Sequence, residues 1–397
     1  MTLPRPIRIL SDDLTGALDT AAMLAARGPI PVRLDRPAEA DGAPVSVVST
    51  GTRDVDADTL AARIAPSLRW LAQAGVPFRK VDSLLRGNSL AEVVATARGA
   101  GFERVLFAPA FPAQGRFTLD AQLMLGAPQR PADATPAAHP GPLVAAFAAL
   151  GVQALTGEAA LAALGEAAGR AACPASGPGT APARTPTPGP TVLIPDVRTD
   201  ADLEALVERA LAIGEGILWC GSAGLAQAME RFDAAREPGA APLPSPPADA
   251  LAGAVLLVTA SRHPALRGQL ARLQADAPDD ACIAIDLAPT DPLAPEAAAE
   301  HLARAAARLV AGQRRPAWLA VVGGDTLLAL CRAAGVEALA AGTAPRPGWG
   351  RATLCGGAWD GLTCFSRSGA FGAPDDLLWL TGATRPSPSP TVERTTR

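Results

Sequence analysis

Short apolar runs alternating with amphipathic stretches constrain this chain more than any other feature, because that alternation is the pattern of a parallel sheet covered by helices. Ile7 to Leu10 reads as a strand, with Asp12 and Asp13 just past its carboxyl end. Leu14, Leu18, Ala21, Leu24 and Ala25 then recur at helical spacing until Gly28 and Pro29 close the helix. Val45 to Val48 and Val105 to Ala108 read as further strands, and Thr59 to Ala74 as a helix stopped by Gly75 and Pro77. In the second half, Ala254 to Val258 and Trp318 to Val322 read as strands, each running through a small-residue turn into a helix. The expected fold class is α/β: two α/β domains with a cleft between them, the N-terminal one a mostly parallel sheet covered by helices.

A chain of 397 residues is long for one core, and two aperiodic stretches suggest how it divides. Residues 236–250 are rich in Pro and Ala and read as a linker between a first domain at 1–235 and a second at 251–384. A Pro-rich loop near 173–190 lies within the first domain, and the tail at 385–397 is expected to be disordered. No signal peptide is expected, because Arg5, Arg8, Asp12 and Asp13 interrupt the start, and the weakly polar run from Pro142 to Leu155 is too short for a bilayer. A net charge of -4 leaves no basic excess for nucleic acid. Six cysteines without a C-x-x-C pair, together with three histidines, support neither a zinc cluster nor a disulfide framework. The expectation is a cytoplasmic protein with neither nucleic acid nor membrane as a partner.

Ligands in such sheets bind beyond the carboxyl ends of the strands. The polar residues that collect there in the first half are Asp12, Asp13, Thr52, Arg53, Lys80, Asp82, Ser83, Arg86, Asn88 and Arg116. Guanidinium and ammonium groups suit a carboxylate, and Asp and Asn suit hydroxyls, so the set fits a small polyhydroxylated anion such as a sugar acid. Either Asp12 or Asp13 at the mouth of such a pocket can orient a hydroxyl and take its proton; equally, Asp13 stands where a helix N-cap would. Of 35 basic residues only Lys80 is a lysine, which points to a position that needs a compact ammonium rather than a planar fork.

The second half carries turns of another kind. Gly323-Gly324-Asp325-Thr326 lies between a strand and a helix, Ser261 follows another strand, and Ser368-Gly369 opens a third small-residue turn. Backbone N–H groups at such turns suit phosphates. The familiar phosphate signatures are missing: Lys80 is not preceded by the glycines of a Walker loop, and no G-x-G-x-x-G opens the first helix. Cys220-Gly221-Ser222-Ala223-Gly224 lacks the first glycine of a nucleophile elbow.

The order of these motifs resembles the four-carbon acid sugar kinases. The resemblance runs from Ser11-Asp12-Asp13-Leu14-Thr15-Gly16-Ala17, through the segment from Lys80 to Asn88, Ala108 to Pro112, Gly115-Arg116, Gly221 to Ala226 and Gly323 to Thr326, to Ser368-Gly369-Ala370-Phe371-Gly372. It implies an N-terminal domain that holds a tetronate-type acid and a C-terminal domain that binds ATP, with Mg²⁺ accompanying the nucleotide. By position, it implies that Asp12, Asp13, Arg53, Lys80, Val81, Asp82 and Ser83 contact the acid, and that Ser261, Gly323, Gly324, Asp325, Thr326 and Gly369 contact ATP; it leaves the metal ligands open. The Lys80-to-Asn88 segment looks more like that of threonate and erythronate kinases than that of 3-oxo-tetronate kinases. Asp325 stands where the family usually has Glu, Arg367 where a lysine is frequent and Leu84 where Thr is common, while residues 127–141 match the family poorly. The expected partners are the small-molecule acid and further copies of the chain as a homo-oligomer. The rival readings are a catalytically weak sensor of sugar acid or nucleotide, and a hydroxy-acid dehydrogenase, which the missing glycine fingerprint disfavours.

Overall fold

Strands buried on both faces need nearly continuous apolar sequence, and the central strands here have it. The computed structural model describes residues 2–170, 189–214, 216–236, 255–276, 281–346, 348–369 and 372–381. Nearly all of the 173–190 loop and the 236–250 linker, the whole 385–397 tail and the Ala370-Phe371 pair lie outside the described residues. Two units emerge, Met1–Leu243 with Ala338–Thr343, and Pro244–Glu337 with Ala344–Arg397.

Along the first segment run β1 (Ile7–Ser11), α1 (Leu14–Leu24), β2 (Ile30–Leu34), β3 (Val45–Ser49), α2 (Ala57–Ala72), β4 (Val76–Lys80), α3 (Ser89–Ala100) and β5 (Arg104–Ala108). They are followed by β6 (Arg116–Leu119), β7 (Gln122–Leu125), β8 (Thr135–Pro136), α4 (Leu143–Ala149), β9 (Gln153–Thr156), α5 (Gly157–Arg170), β10 (Thr191–Ile194), α6 (Asp200–Ile213), β11 (Ile217–Gly221) and α7 (Ala223–Arg236). The second unit contributes β12 (Val255–Thr259), α8 (Pro264–Asp276), β13 (Cys282–Asp286), α9 (Pro295–Gly312), β14 (Trp318–Val322) and α10 (Gly324–Ala334). Next comes β15 (Ala338–Gly342), which belongs to the first unit, and then β16 (Gly350–Cys355) and β17 (Thr363–Arg367).

In the first unit the strand order is β15-β2-β3-β1-β4-β11-β5-β10-β9, parallel except for β15, and β6-β7-β8 form a small antiparallel sheet. In the second it is β13-β12-β14-β17-β16, parallel except for β16. The first core gathers Leu10, Val81, Phe107 and Phe147, the two rings meeting edge to face at 5.0 Å. The second gathers Trp349, Phe365 and Trp379, with Trp379 5.1 Å from Trp349 and 5.3 Å from Phe365.

Three expectations are corrected. The helix expected at Thr59 begins at Ala57, because the Asp56 carboxylate accepts from Thr59 N at 2.9 Å and caps it there. Pro77 does not stop that helix but lies inside β4, where the β11 register begins only at Phe78, so its missing N–H falls outside that pairing. The second domain is not continuous from 251 to 384, because β15 pairs antiparallel with β2, from Ala338 opposite Arg33 to Ala341 opposite Ile30. Among the described residues no helix is long and apolar enough to cross a membrane.

Candidate active site

β3, β1 and β4 are neighbours, and their register sets Ser11 level with both Ser49 and Lys80, so the three carboxyl ends open at one edge. Arg53, in the loop after β3, reaches across it. Its Nε donates to Asp12 Oδ2 at 2.6 Å, its Nη1 donates to Asp13 Oδ2 at 3.1 Å, and its Nη2 lies 2.9 Å from Asp13 Oδ1. Asp13 is also the N-cap of α1, accepting from Gly16 N at 2.9 Å and from the Thr15 hydroxyl at 2.5 Å. Capping and ion pairing thus coexist in one side chain. Asp12 differs, since its Oδ1 is buried and has no hydrogen-bond partner among the described residues.

That difference separates the two carboxyls electrostatically. Burial, and then the neighbouring Asp13 charge, push Asp12 up to about 6 against the pull of Arg53. Burial acts upward on Asp13 too, but Arg53, Lys80 and the bonds from Thr15 and Gly16 outweigh it and hold the group below its ordinary value.

Lys80 ends β4, and its side chain is buried. Its ammonium packs on the first turn of α1, where a Cβ added to Gly16 would stand 2.8 Å from Nζ and 2.5 Å from Asp13 Oδ1. Glycine is required there by close approach. Among the described residues Nζ forms no hydrogen bond or ion pair.

The rest of this loop is committed first to its own shape. The Val81 side chain is part of the core, and its N–H donates to Gly221 O at 2.9 Å, so only its main chain borders the pocket edge. Asp82 accepts from Leu84 N and Arg86 N, each at 3.2 Å, and is clasped by Arg86 through Nε at 2.8 Å and Nη2 at 2.7 Å. Although burial works upward on Asp82, these bonds and the Arg53 charge keep its carboxyl well below the usual range. Asn88 Nδ2 donates to Thr52 O at 3.0 Å and Val55 O at 2.6 Å, stapling this loop to the one that carries Arg53. Ser83, next to Asp82 in the chain, is half-buried. Arg116 opens β6, donates to Gln114, and is close enough to Asp82 and Arg86 to feel both charges.

In the second unit β12, β14 and β17 are neighbours, and Ser261, Gly323 and Gly369 follow them. Gly369 packs on Ser261: an added Cβ would stand 2.5 Å from Ser261 Oγ. Gly323 caps α10 without a side chain, and its N–H donates to Arg367 O at 2.9 Å. The N–H groups of Gly324, Asp325 and Thr326 form the first turn of α10, where a helix has no intrahelical acceptor to offer. Thr326 is buried, its hydroxyl accepting from Ala260 N at 3.2 Å, whereas Asp325 is exposed.

Sequence reasoning missed the support behind this turn. Arg367 is buried, pairs with Asp376 at 2.5 Å, donates to Gln269 and lies over Trp349. Gln269 in turn donates to Gly372 O and Ala373 O at 3.0 and 2.9 Å. An arginine in the place of the family's frequent lysine is therefore built into the fold. The signal was an arginine closing a strand whose other residues carry no charge.

Residues 7–229 match a family described as the sugar-binding N-terminal domain. The D-threonate kinase of Bordetella bronchiseptica is 30% identical over 96% of this chain and 97% of its own length. The chain belongs to the four-carbon acid sugar kinase family. Membership makes it a phosphotransferase. The D-threonate kinase of Cupriavidus necator is 31% identical to this kinase over 60% of the chain and 57% of that protein. A crystal structure from Salmonella typhimurium shares the fold, with a TM-score of 0.67 at 19% identity, covering 96% of this chain and 98% of that one.

Proposed function

We propose that this kinase transfers the γ-phosphate of ATP to the terminal hydroxyl of a four-carbon sugar acid of the D-threonate or D-erythronate type. One observation carries the reading: an ammonium with no partner among the described residues, at Lys80, shares a strand-end edge with Asp12, whose buried Oδ1 also has none. The first suits a carboxylate, the second a hydroxyl proton. In this reading Lys80 takes the acid's carboxylate while Arg86, Arg116 and Ser83 border its hydroxyls. Arg53 fixes the Asp12 carboxylate, and Oδ1 accepts the proton of the attacking hydroxyl. Asp13 holds Arg53 and the start of α1 in place. The curated relatives named D-threonate kinase support the substrate class.

The second unit's turns fit a nucleotide on their own evidence: a helix start at 324–326 and a backbone at Gly369 where an added Cβ would stand 2.5 Å from Ser261 Oγ. Ser261, Gly323, Gly324, Asp325, Thr326 and Gly369 are the residues assigned to ATP, which when bound supplies the phosphoryl group and most of the charge to be neutralised. Among the described residues no group of three His, Cys, Asp or Glu side chains is placed to enclose a metal. A Mg²⁺ carried by phosphates needs only one or two carboxylates, and Asp325 is the carboxylate at this turn.

The direct test is ADP release from Mg-ATP in the presence of D-threonate, D-erythronate and 3-oxo-tetronates in turn. Turnover with one of the first two is expected. Turnover with none of the acids overturns the reading, and acid binding without any nucleotide affinity would mark a sensor. Gly369→Ala is expected to weaken ATP at least about tenfold by calorimetry, because the new Cβ displaces Ser261 Oγ. Unchanged ATP affinity in that variant would take the nucleotide away from this turn.

A further inference from the structure

Asp19 lies in α1 three residues beyond Gly16, on the same helical face. Helical side chains lean toward the N-terminus, so Asp19 is directed along this face toward the turn that carries Gly16. Lys80 Nζ lies at that turn, 2.8 Å from where a Gly16 Cβ would stand. The other charges of the pocket are committed: Arg53 to Asp12 and Asp13, Arg86 to Asp82. Asp19 and Lys80 are the two charges of this cluster without a hydrogen bond or ion pair among the described residues. The charged groups that act on Asp19 are Lys80 from β4, Asp13 from the cap of its own helix and Arg53 from the loop after β3, with Lys80 foremost.

We propose that Asp19 is a positioning residue of the acid-binding pocket, which draws the Lys80 ammonium away from Asp12 and Asp13 and keeps it available to the ligand's carboxylate. Without the Asp19 charge the ammonium is pulled toward Asp13 alone, and an ion pair formed there must break before the acid can bind. The inference rests on reading this pocket as the acid site, but its first test needs no substrate. Burial pushes the Asp19 carboxyl up to about 7, so its ionisation falls at a pH where the folded protein can be observed.

Lys80 is the only lysine in the chain, so full-length protein labelled with ¹³Cε-lysine gives one ε-methylene resonance. In the wild type that resonance is expected to move through an inflection near pH 7 as Asp19 loses its proton. Asp19→Asn should abolish the inflection near pH 7, leaving only the movement near pH 6 that Asp12 causes, and Asp12→Asn should retain the inflection near pH 7. In turnover assays Asp19→Asn is expected to raise KM for the acid about tenfold, with kcat and KM for ATP within about twofold, and Asp19→Glu to recover part of the loss. A wild-type resonance that stays flat through neutral pH overturns the proposal, even if Asp19→Asn does not fold. So does an inflection near pH 7 that survives Asp19→Asn, or a fall in kcat at constant KM. Were the inflection present while no acid is phosphorylated, the functional reading would fail and the coupling of Asp19 to Lys80 would stand.

Discussion

Asp12→Asn will lower kcat by about 10²- to 10⁴-fold, the usual contribution of a positioned general base. ATP affinity, read by calorimetry, should stay within about twofold, because the nucleotide residues are assigned to the other unit. The asparagine keeps the size of the side chain but has no oxygen able to take a full proton. In the wild type, kcat/KM should fall as pH drops through about 6, where Asp12 takes up a proton and ceases to accept one. Asp13→Asn provides the contrast. It removes the charge paired with Arg53 at the helix cap, so a loss of stability of about 1 kcal/mol accompanies any loss of rate. Wild-type turnover in Asp12→Asn would reduce that carboxylate to a partner of Arg53.

Arg79→Met will produce the largest loss of stability. Arg79 in β4 and Glu92 in α3 are both fully buried, 2.5 Å apart, and none of their polar side-chain atoms meets a partner in hydrogen-bond geometry among the described residues. Removing one member leaves a bare charge in the core, at a cost of about 3–5 kcal/mol. That corresponds to a drop in Tm of roughly 10 °C for a unit of this size, measurable by thermal denaturation of the whole chain. Arg79→Met combined with Glu92→Leu should recover most of the loss, since the pair's desolvation cost disappears with it. An unchanged Tm in the single variant would mean that water or a rearranged partner serves Glu92. Because Glu92 is among the charges pushing Asp12 upward, the double variant should also move the acid limb of the pH profile to lower pH.

The edge that carries Asp12, Asp13, Arg53 and Lys80 was legible because polar residues immediately after apolar runs have few places to go in a parallel sheet. The same logic failed for β4, where Pro77 reads as a breaker although its position in the ladder tolerates it. The Arg79–Glu92 pair was not legible, since burial of a pair depends on two segments meeting and neither segment shows it alone. Asp19 was hidden in a helical pattern that assigns polar residues to solvent. The β6-β7 hairpin was missed because its turn places Asp120 and Ala121 at φ 49° and 55° without the glycine that normally signals it.

The strand that returns from the far part of the sequence has a practical consequence for taking this enzyme apart. A fragment ending at the linker would lack β15 and leave β2 as an open edge, ready to pair with another chain. The complementary fragment would carry β15 between α10 and β16 with its partner gone. Recombining the two units from different relatives therefore demands three crossover points, one at the linker and one on each side of residues 338–343. Exchange of specificity within this family is then an exchange of inserts, not of halves.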